Sequence, residues 1–167
     1  RGLRTYGIDT KYIVRGGKRL GIYYVEKGAS QRPSKVIYDR EGSAIAMADP
    51  SDFDWDAIFE GAEWFHWTGI TPALSDNMVQ ACLDACKKAK EKGMTTVLNP
   101  APAATVKEEI MKYCDWFIPN QSEAEFYTGI YPADEDSAKA CAEKLQEKGI
   151  KNVLITMGVS GSVCIAD

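Results

Sequence analysis

The chain has 167 residues, of which 45% are hydrophobic and 26% are charged, a composition that predicts one globular domain with a hydrophobic core. Its 20 Lys and Arg stand against 24 Asp and Glu, giving a net charge of -4 without a basic cluster, which argues against nucleic acid as a partner. No apolar run approaches the roughly 20 residues that span a bilayer, so a membrane partner is not expected either.

The five cysteines indicate a reduced protein. They are odd in number, form no CxxC pair of the kind that binds zinc, and lie in apolar segments, at Cys82, Cys86, Cys114, Cys141 and Cys164. Free thiols of this kind are typical of a reducing compartment, so we expect a cytoplasmic protein. Cys82 and Cys86 share one helical face and could suggest metal ligands, but the rest of that face is apolar, which favours packing in the core.

Both ends of the chain have the features of an internal piece. The chain begins at Arg1 without an initiator methionine or a signal-peptide core, and it stops at Asp167, directly after a strand-like run at 162–165. We therefore expect N- and C-terminal parts of a full domain to be absent from these 167 residues.

Residues 11–39 are expected to form a small antiparallel unit. Runs of β-branched and aromatic residues, separated by turn-prone segments, predict three strands there. The three runs lie at 12–14, 20–25 and 36–38.

After Pro50, short apolar runs alternate with helical stretches, which predicts βαβ units and a parallel sheet. The predicted strands lie at 64–67, 95–98, 116–118, 153–156 and 162–165. Apolar stripes and glycine stops predict helices over 75–92 and 134–148, with shorter ones at 54–59, 105–113 and 122–127. Because ligands of such sheets bind beyond the carboxyl ends of the strands, we expect functional residues directly after each strand.

Spacing alone gives structural interpretations for the polar groups near these strand ends. Asn120, followed three residues later by Glu123, has the pattern of a helix capping box. Gly158 and Gly161, between two strand-like runs, suit a hairpin turn. His66, the only histidine, could act as a base, but its place among aromatics in a strand expected to be buried favours structural packing.

Short motifs along nearly the whole chain resemble one family of enzymes. Within residues 95–165 the chain is similar to ribokinases, at 99–103 (Asn-Pro-Ala-Pro-Ala), 115–125, 128–129, 155–158 and 161. Residues 3–85 resemble 2-keto-3-deoxygluconate kinases, above all at 19–23, 32–40 and 65–74. On these motifs the chain is identified as a member of the PfkB/ribokinase family of carbohydrate kinases.

The resemblance implies an α/β fold with a partial ribokinase-like three-layer α/β/α core. Residues 1–10 and 44–167 would form that core, and residues 11–43 would form a small β-sheet lid inserted in it. The implied reaction is ATP-dependent phosphorylation of a sugar or sugar-acid hydroxyl, with ATP and Mg²⁺ as cofactors and 2-keto-3-deoxygluconate as the first-choice substrate. Ribose, another sugar or a nucleoside is the alternative substrate, and a non-catalytic nucleotide- or sugar-binding remnant is the alternative class. The exposed strand edges of the lid suggest a homodimer of the full-length protein.

The same resemblance assigns a nucleotide site. Asn120 and Glu123 would organise the phosphates and Mg²⁺, with Glu123 holding the ion through its water shell. Thr156, Gly158 and Gly161 would lie against the nucleotide, since glycine allows the backbone to approach a bound group closely.

A sugar site is implied on the lid. Tyr23, Tyr38 and Arg40 would bind a sugar acid, because a guanidinium offers paired donors to a carboxylate, and Gly69 and Ile70 would border the same pocket. A solvated arginine on an edge strand, beside tyrosines packed across strands, stays open as the alternative.

Two family features are missing from the printed residues. The Gly-Ala-Gly-Asp stretch, whose aspartate takes the proton of the acceptor hydroxyl, does not occur, so we expect no catalytic residue in this chain and no activity from it alone. Deoxygluconate kinases usually carry an Asp-x-Asn-x-Arg segment where this chain has Asn-Pro-Ala-Pro at 99–102. The chain is therefore either a member with mixed features or a junction of two related kinases.

Overall fold

The computed structural model describes residues 2–101, 106 and 108–166. Six α-helices and seven strands lie within this part of the chain. In chain order they are α1 (Gly2–Thr5), β1 (Ile22–Glu26), β2 (Lys35–Asp39), α2 (Trp55–Ile58), β3 (Trp64–Thr68), α3 (Asp76–Glu91), β4 (Thr95–Asn99), α4 (Glu108–Met111), β5 (Trp116–Phe117), α5 (Gln121–Thr128), α6 (Glu135–Glu147), β6 (Asn152–Thr156) and β7 (Ser162–Ile165).

The central sheet contains five strands in the order β3-β4-β5-β6-β7. The first four run parallel, and β7 returns antiparallel beside β6. This arrangement confirms the predicted α/β fold and the predicted strands after Pro50. The helix predicted over 105–113 is observed from Glu108, while residues 102–105 and 107 lie outside the described residues.

The two long helices begin at the predicted start residues, each of which caps its helix with its side chain. The Ser75 hydroxyl accepts from the Met78 N–H at 3.3 Å before α3, and the Asp134 carboxylate accepts from the Ser137 N–H at 2.9 Å before α6. Their apolar stripes are buried, as the periodicity predicts. The buried residues are Met78, Ala81, Cys82, Leu83, Ala85, Cys86 and Ala89 on α3, and Ala138, Cys141, Ala142 and Leu145 on α6.

The main core lies on one face of the central sheet. Phe117 and Ile155 of the sheet are fully buried there against residues of α3, α4, α5 and α6. Strand alternation places Val97, Trp116 and Leu154 on the opposite face. The described residues thus supply the sheet and one helical layer of the expected three-layer arrangement.

Four of the five cysteines are buried in this core, which confirms the predicted packing role of Cys82 and Cys86. Burial raises the pKa of the Cys82 and Cys114 thiols to about 12 each. A thiol with such a pKa stays protonated at neutral pH and is a poor nucleophile and metal ligand. Cys164 on β7 is the exposed one.

The lid is a separate antiparallel ribbon of two strands, β1 and β2, in which Tyr23 pairs with Tyr38. The prediction of a further strand at 12–14 is wrong, because no strand forms at these residues. The chain turns just before this run, where the Ile13 N–H bonds to the Thr10 carbonyl, and the run contributes to an apolar groove instead of a ladder. Both ribbon strands lie inside residues 11–43. The exact boundaries of the lid at 11 and 43 stay a prediction.

Candidate functional site

The loops after β5 and β6 lie side by side at the carboxyl edge of the sheet. Asn120 and Thr156 form a parallel bridge, in which the Thr156 N–H donates to the Pro119 carbonyl at 2.9 Å. The Thr156 hydroxyl also contacts that carbonyl, at 3.4 Å. The fold therefore brings together two of the residues assigned to the nucleotide from separate parts of the sequence.

Asn120 and Glu123 form the predicted capping box at the start of α5. The Asn120 Oδ1 accepts from the Glu123 N–H at 2.9 Å, and the Glu123 Oε2 accepts from the Asn120 N–H at 2.8 Å. The Nδ2 group of Asn120 takes no part in the box, so the cap does not use up the amide group of this side chain. The N-terminus of a helix also favours anions, because its first N–H groups point outward and the dipole is positive there.

The hairpin between β6 and β7 carries the two predicted glycines. The Met157 N–H donates to the Gly161 carbonyl at 2.8 Å, which confirms the predicted turn. Gly158 (φ +57°) and Gly161 (φ +88°) both adopt positive φ, a conformation that other residues rarely hold. Gly158 follows Thr156 by two residues, so it lies at the same sheet edge as Asn120. Its contact with a nucleotide stays a prediction.

Asn99 joins the carboxyl ends of three neighbouring strands. Its Nδ2 donates to the Ile118 carbonyl at 3.2 Å beyond β5, and its carbonyl accepts from the Gly69 N–H at 2.8 Å beyond β3. With Nδ2 committed as a donor, Oδ1 must accept from the His66 Nε2, 2.6 Å away. The sequence motif contained Asn99, but spacing gave no sign of these contacts across strands.

His66 is exposed, so the prediction that it lies in a buried strand is wrong. It belongs to β3, at the edge of the described sheet, and it shares a face with Val97, away from the helices. His66 has a structural role through its hydrogen bond to Asn99, and not through burial among the aromatic residues of the strand.

Gly69 lies at a close approach between the loops after β3 and β4. A Cβ atom on Gly69 would lie 2.9 Å from the Ala101 nitrogen and 3.2 Å from the Pro100 Cα. Ile70, the next residue, is partly exposed. The glycine therefore permits the contact between these two loops.

We expect Gly69→Ala to lower the free energy of unfolding by about 1–3 kcal/mol, because backbone atoms must move to admit the methyl group. Urea unfolding followed by fluorescence measures the change. Gly16→Ala is the matched control, since a Cβ there meets nothing within 4 Å, and it should stay within about 0.5 kcal/mol of the parent. Equal effects of the two substitutions would contradict this account of Gly69.

Three of the five predicted sugar-binding residues, Tyr23, Tyr38 and Arg40, share one end of the lid. Tyr23 is 64% exposed and Tyr38 is 58% exposed. The centroids of their rings lie 6.4 Å apart across the ribbon. The guanidinium carbon of Arg40 lies 4.1 Å from the centre of the Tyr38 ring. The cross-strand tyrosine contact of the alternative interpretation is thus present, and both tyrosines stay more than half exposed.

An apolar groove beside the lid was not predicted. It is a cavity of about 390 Å³ between the segments before β1 and after β2. Its apolar lining includes Tyr12, Ile13, Val14, Leu20, Met47 and Phe53.

The predicted site residues fall into two groups. Gly69, Asn120 and Thr156 stand at the carboxyl edge of the central sheet, whereas Tyr38 and Arg40 stand on the separate ribbon. Among the described residues, no hydrogen bond, ion pair or ring contact joins the groups directly. The relation between nucleotide and sugar sites therefore stays a prediction.

Glu123 is the candidate carboxylate for Mg²⁺ at this sheet edge, and its capping contact with the Asn120 N–H uses Oε2, which leaves Oε1 outside the capping box. Within 2–101, 106 and 108–166, no cluster of three or more His, Cys, Asp or Glu could hold a metal ion. Magnesium keeps several waters and is usually bound by one or two carboxylates together with substrate phosphates. Glu123 would supply such a carboxylate, and the ion would supply charge neutralisation for a triphosphate.

Comparisons with known proteins establish the class of the fold. The chain resembles the structure of 2-dehydro-3-deoxygluconokinase from Thermotoga maritima, with a TM-score of 0.79 and 41% identity over 92% of this chain and 51% of that one. Ribokinase from the same organism matches with a TM-score of 0.66 and 24% identity over 88% of this chain and 45% of that one. The predicted ribokinase-like fold is confirmed.

The family follows from the sequence comparison. The sequence model of the family described as "pfkB family carbohydrate kinase" matches residues 1–167, and the chain belongs to this family. A curated relative named ribokinase, from Haemophilus influenzae, is 44% identical over 93% of this chain and 48% of its own length. The chain spans about half the length of such curated relatives. Because relatives named for two different sugars match, they do not separate the two substrates.

No helix in the part of the chain that the structure describes combines the length and the apolar character that crossing a bilayer requires.

Proposed function

We propose that the protein is an ATP- and Mg²⁺-dependent sugar kinase whose nucleotide site lies at the carboxyl ends of β5 and β6. The observation that carries the proposal is the junction of Asn120, Glu123 and Thr156 at one sheet edge, directly before the N-terminus of α5. Such an edge offers amide and hydroxyl donors, one carboxylate and helix N–H groups to a metal-bound phosphate chain. The reaction would be in-line phosphoryl transfer in which position and electrostatics lower the barrier.

2-Keto-3-deoxygluconate is the proposed substrate. It carries a carboxylate, and Arg40 is a cation over the ring of the exposed Tyr38, with no carboxylate within ion-pair distance among the described residues. The Thermotoga maritima relative is named for this sugar acid. Ribose is the second candidate, supported by the Asn-Pro-Ala-Pro motif and by the Haemophilus influenzae relative named ribokinase.

Calorimetry on the 167-residue chain tests the nucleotide site. We expect binding of ATP that strengthens when Mg²⁺ is present, and no phosphoryl transfer by this chain alone, because no Gly-Ala-Gly-Asp stretch occurs in it. The absence of any nucleotide binding by the folded chain would overturn the proposal.

An assay of the whole protein with 2-keto-3-deoxygluconate against ribose then decides the substrate. Binding of nucleotide or sugar without any phosphoryl transfer would favour a non-catalytic remnant.

We further propose a cytoplasmic homodimer that forms through the lid. The ribbon has two exposed apolar faces: Tyr23, Val25, Val36 and Tyr38 on one, and Ile22, Tyr24 and Ile37 on the other. Exposed apolar strands are normally covered by a partner or a ligand. The first face would meet the sugar and the second face a second copy.

On this proposal Tyr24→Lys should convert the dimer into a monomer, because a charge would enter the centre of the apolar contact. Sedimentation velocity measures the change. Val25→Lys, on the opposite face of the same strand, is the control and should leave the dimer intact. A parent protein that stays monomeric at high concentration would exclude the dimer.

A further inference from the structure

Arg19 holds the chain on both sides of Arg40. Its Nη1 donates to the Glu41 carbonyl, and its Nη2 donates to the Asp39 carbonyl at 3.1 Å. The same Nη2 lies 2.7 Å from the Asp39 Oδ2. One guanidinium thus contacts the residue before Arg40 and the residue after it.

The backbone of Arg19 is itself fixed. The Ala44 N–H donates to the Arg19 carbonyl at 2.8 Å, and a Cβ on Gly17 would lie only 2.6 Å from the Ala44 Cα. These contacts pack the segment before β1, which contains Gly17 and Arg19, closely against the segment after β2, which contains Ala44. Arg19 is therefore anchored at its backbone while its side chain spans the turn that carries Arg40.

The two arginines differ in charge environment. Asp39 neutralises Arg19, whereas Arg40 has no carboxylate within 4.0 Å among the described residues and rests against the Tyr38 ring. A guanidinium that lies over an aromatic ring can still offer its N–H groups to a carboxylate. Arg40 is thus the member of the pair that can receive a ligand carboxylate.

We propose that Arg19 is a positioning residue, which clamps the two carbonyls flanking Arg40 and so fixes the Arg40 side chain over Tyr38 for recognition of a sugar carboxylate. The recognition part rests on the proposed function. The clamp requires the fork of a guanidinium, because one ammonium group cannot reach the Glu41 carbonyl, the Asp39 carbonyl and the Asp39 carboxylate with the same geometry. Selectivity for an acid over a neutral sugar would then depend on Arg19 without direct contact.

The clamp is tested first without any ligand. In NMR spectra of the 167-residue chain, the Arg40 side-chain protons should be shifted upfield by the Tyr38 ring. We expect Arg19→Gln and Arg19→Lys to abolish this shift and to move the Arg40 and Glu41 amide signals. Arg32→Gln is the matched control, because Arg32 pairs with Glu26 and donates to the Lys27 carbonyl in the same ribbon, away from Arg40. An unchanged Arg40 shift in Arg19→Lys would overturn the clamp.

Binding tests the recognition step. We expect Arg19→Lys to weaken 2-keto-3-deoxygluconate binding on the order of tenfold, the loss of about one oriented charged hydrogen bond. Ribose binding should not change. In the Arg40→Gln background, Arg19→Lys should have no further effect, whereas an independent effect of full size would refute positioning through Arg40. If the parent binds no sugar acid, the substrate proposal and the recognition step both fail, and the NMR result still decides the clamp.

Discussion

Asp115→Asn is expected to lower the free energy of unfolding by about 2–3 kcal/mol at neutral pH, because it leaves a partly buried lysine without its counter-charge. The Asp115 side chain is 15% exposed and pairs with Lys90 and, at 3.6 Å, with Lys151. Its Oδ2 also accepts from the Thr96 N–H at 2.9 Å and from the Thr96 hydroxyl at 3.1 Å. An asparagine retains only part of this set. Urea unfolding measures the loss.

Asp56→Asn is the matched control for this experiment. Asp56 also contacts two lysines, Lys88 and Lys92, at 3.2 Å each, but its side chain is 67% exposed. Solvent screens such a pair, so the control should have a much smaller effect on unfolding. Equal losses for the two substitutions would show that burial is not the reason for the importance of Asp115.

The effect of Asp115→Asn should disappear in acid. Partial burial raises the pKa of Asp115, but the Lys90 ammonium and the Thr96 N–H outweigh burial and hold this pKa below its ordinary value. A carboxylate whose pKa is lower in the folded state contributes stability above its unfolded pKa and loses it as pH falls through the folded value. The difference between the parent and the variant should therefore be constant at neutral pH and shrink below about pH 4. A difference that persists to the lowest pH would contradict the ionic explanation.

Glu123→Gln should weaken Mg²⁺-dependent ATP binding on the order of tenfold while leaving the fold intact. A glutamine can still accept from the Asn120 N–H, because either Glu or Gln completes a capping box. The variant should therefore unfold within about 0.5 kcal/mol of the parent. Calorimetry with ATP, with and without Mg²⁺, measures the binding. The substitution removes the negative charge of Glu123 and keeps the shape of its side chain. The affinity for ATP without Mg²⁺ should therefore fall less than the affinity for ATP with Mg²⁺.

A second helix supplies the control for capping alone. Asp134 and Ser137 form the same type of capping box at the start of α6. Asn120→Ala and Asp134→Ala should both destabilise a helix terminus, the former by about 1 kcal/mol. Nucleotide affinity should fall only in Asn120→Ala. If both variants bind the nucleotide as the parent does, then Asn120 is only a cap.

The sequence predicted those parts of the fold that depend on local pattern. The apolar stripe on α3 depends on residues three and four positions apart, and the turn between β6 and β7 depends on Gly158 and Gly161 within it. The strand prediction at 12–14 failed because residues of high β propensity form a strand only beside a partner strand. The chain turns at Thr10 to Ile13, before such a pairing can form. Periodicity carried no information about that turn.

The site was predictable only where one motif contained all its members. The capping box of Asn120 and Glu123 lies within four residues, and spacing was sufficient to find it. The links from Asn99 to His66, and from Arg19 to Asp39, cross between segments that only the fold brings together. The exposed position of His66 likewise depends on its edge strand, which no local pattern reveals.

The alternation of side chains along the lid has a consequence for how such proteins diverge. Neighbouring residues of β1 point to opposite sides of a ribbon that is one layer thick, so on the proposed function Tyr23 would face the sugar and Tyr24 the second copy. A lineage can therefore change what one side touches while the other side stays constant. Substitution rates among family members should consequently rise and fall with a period of two along these strands.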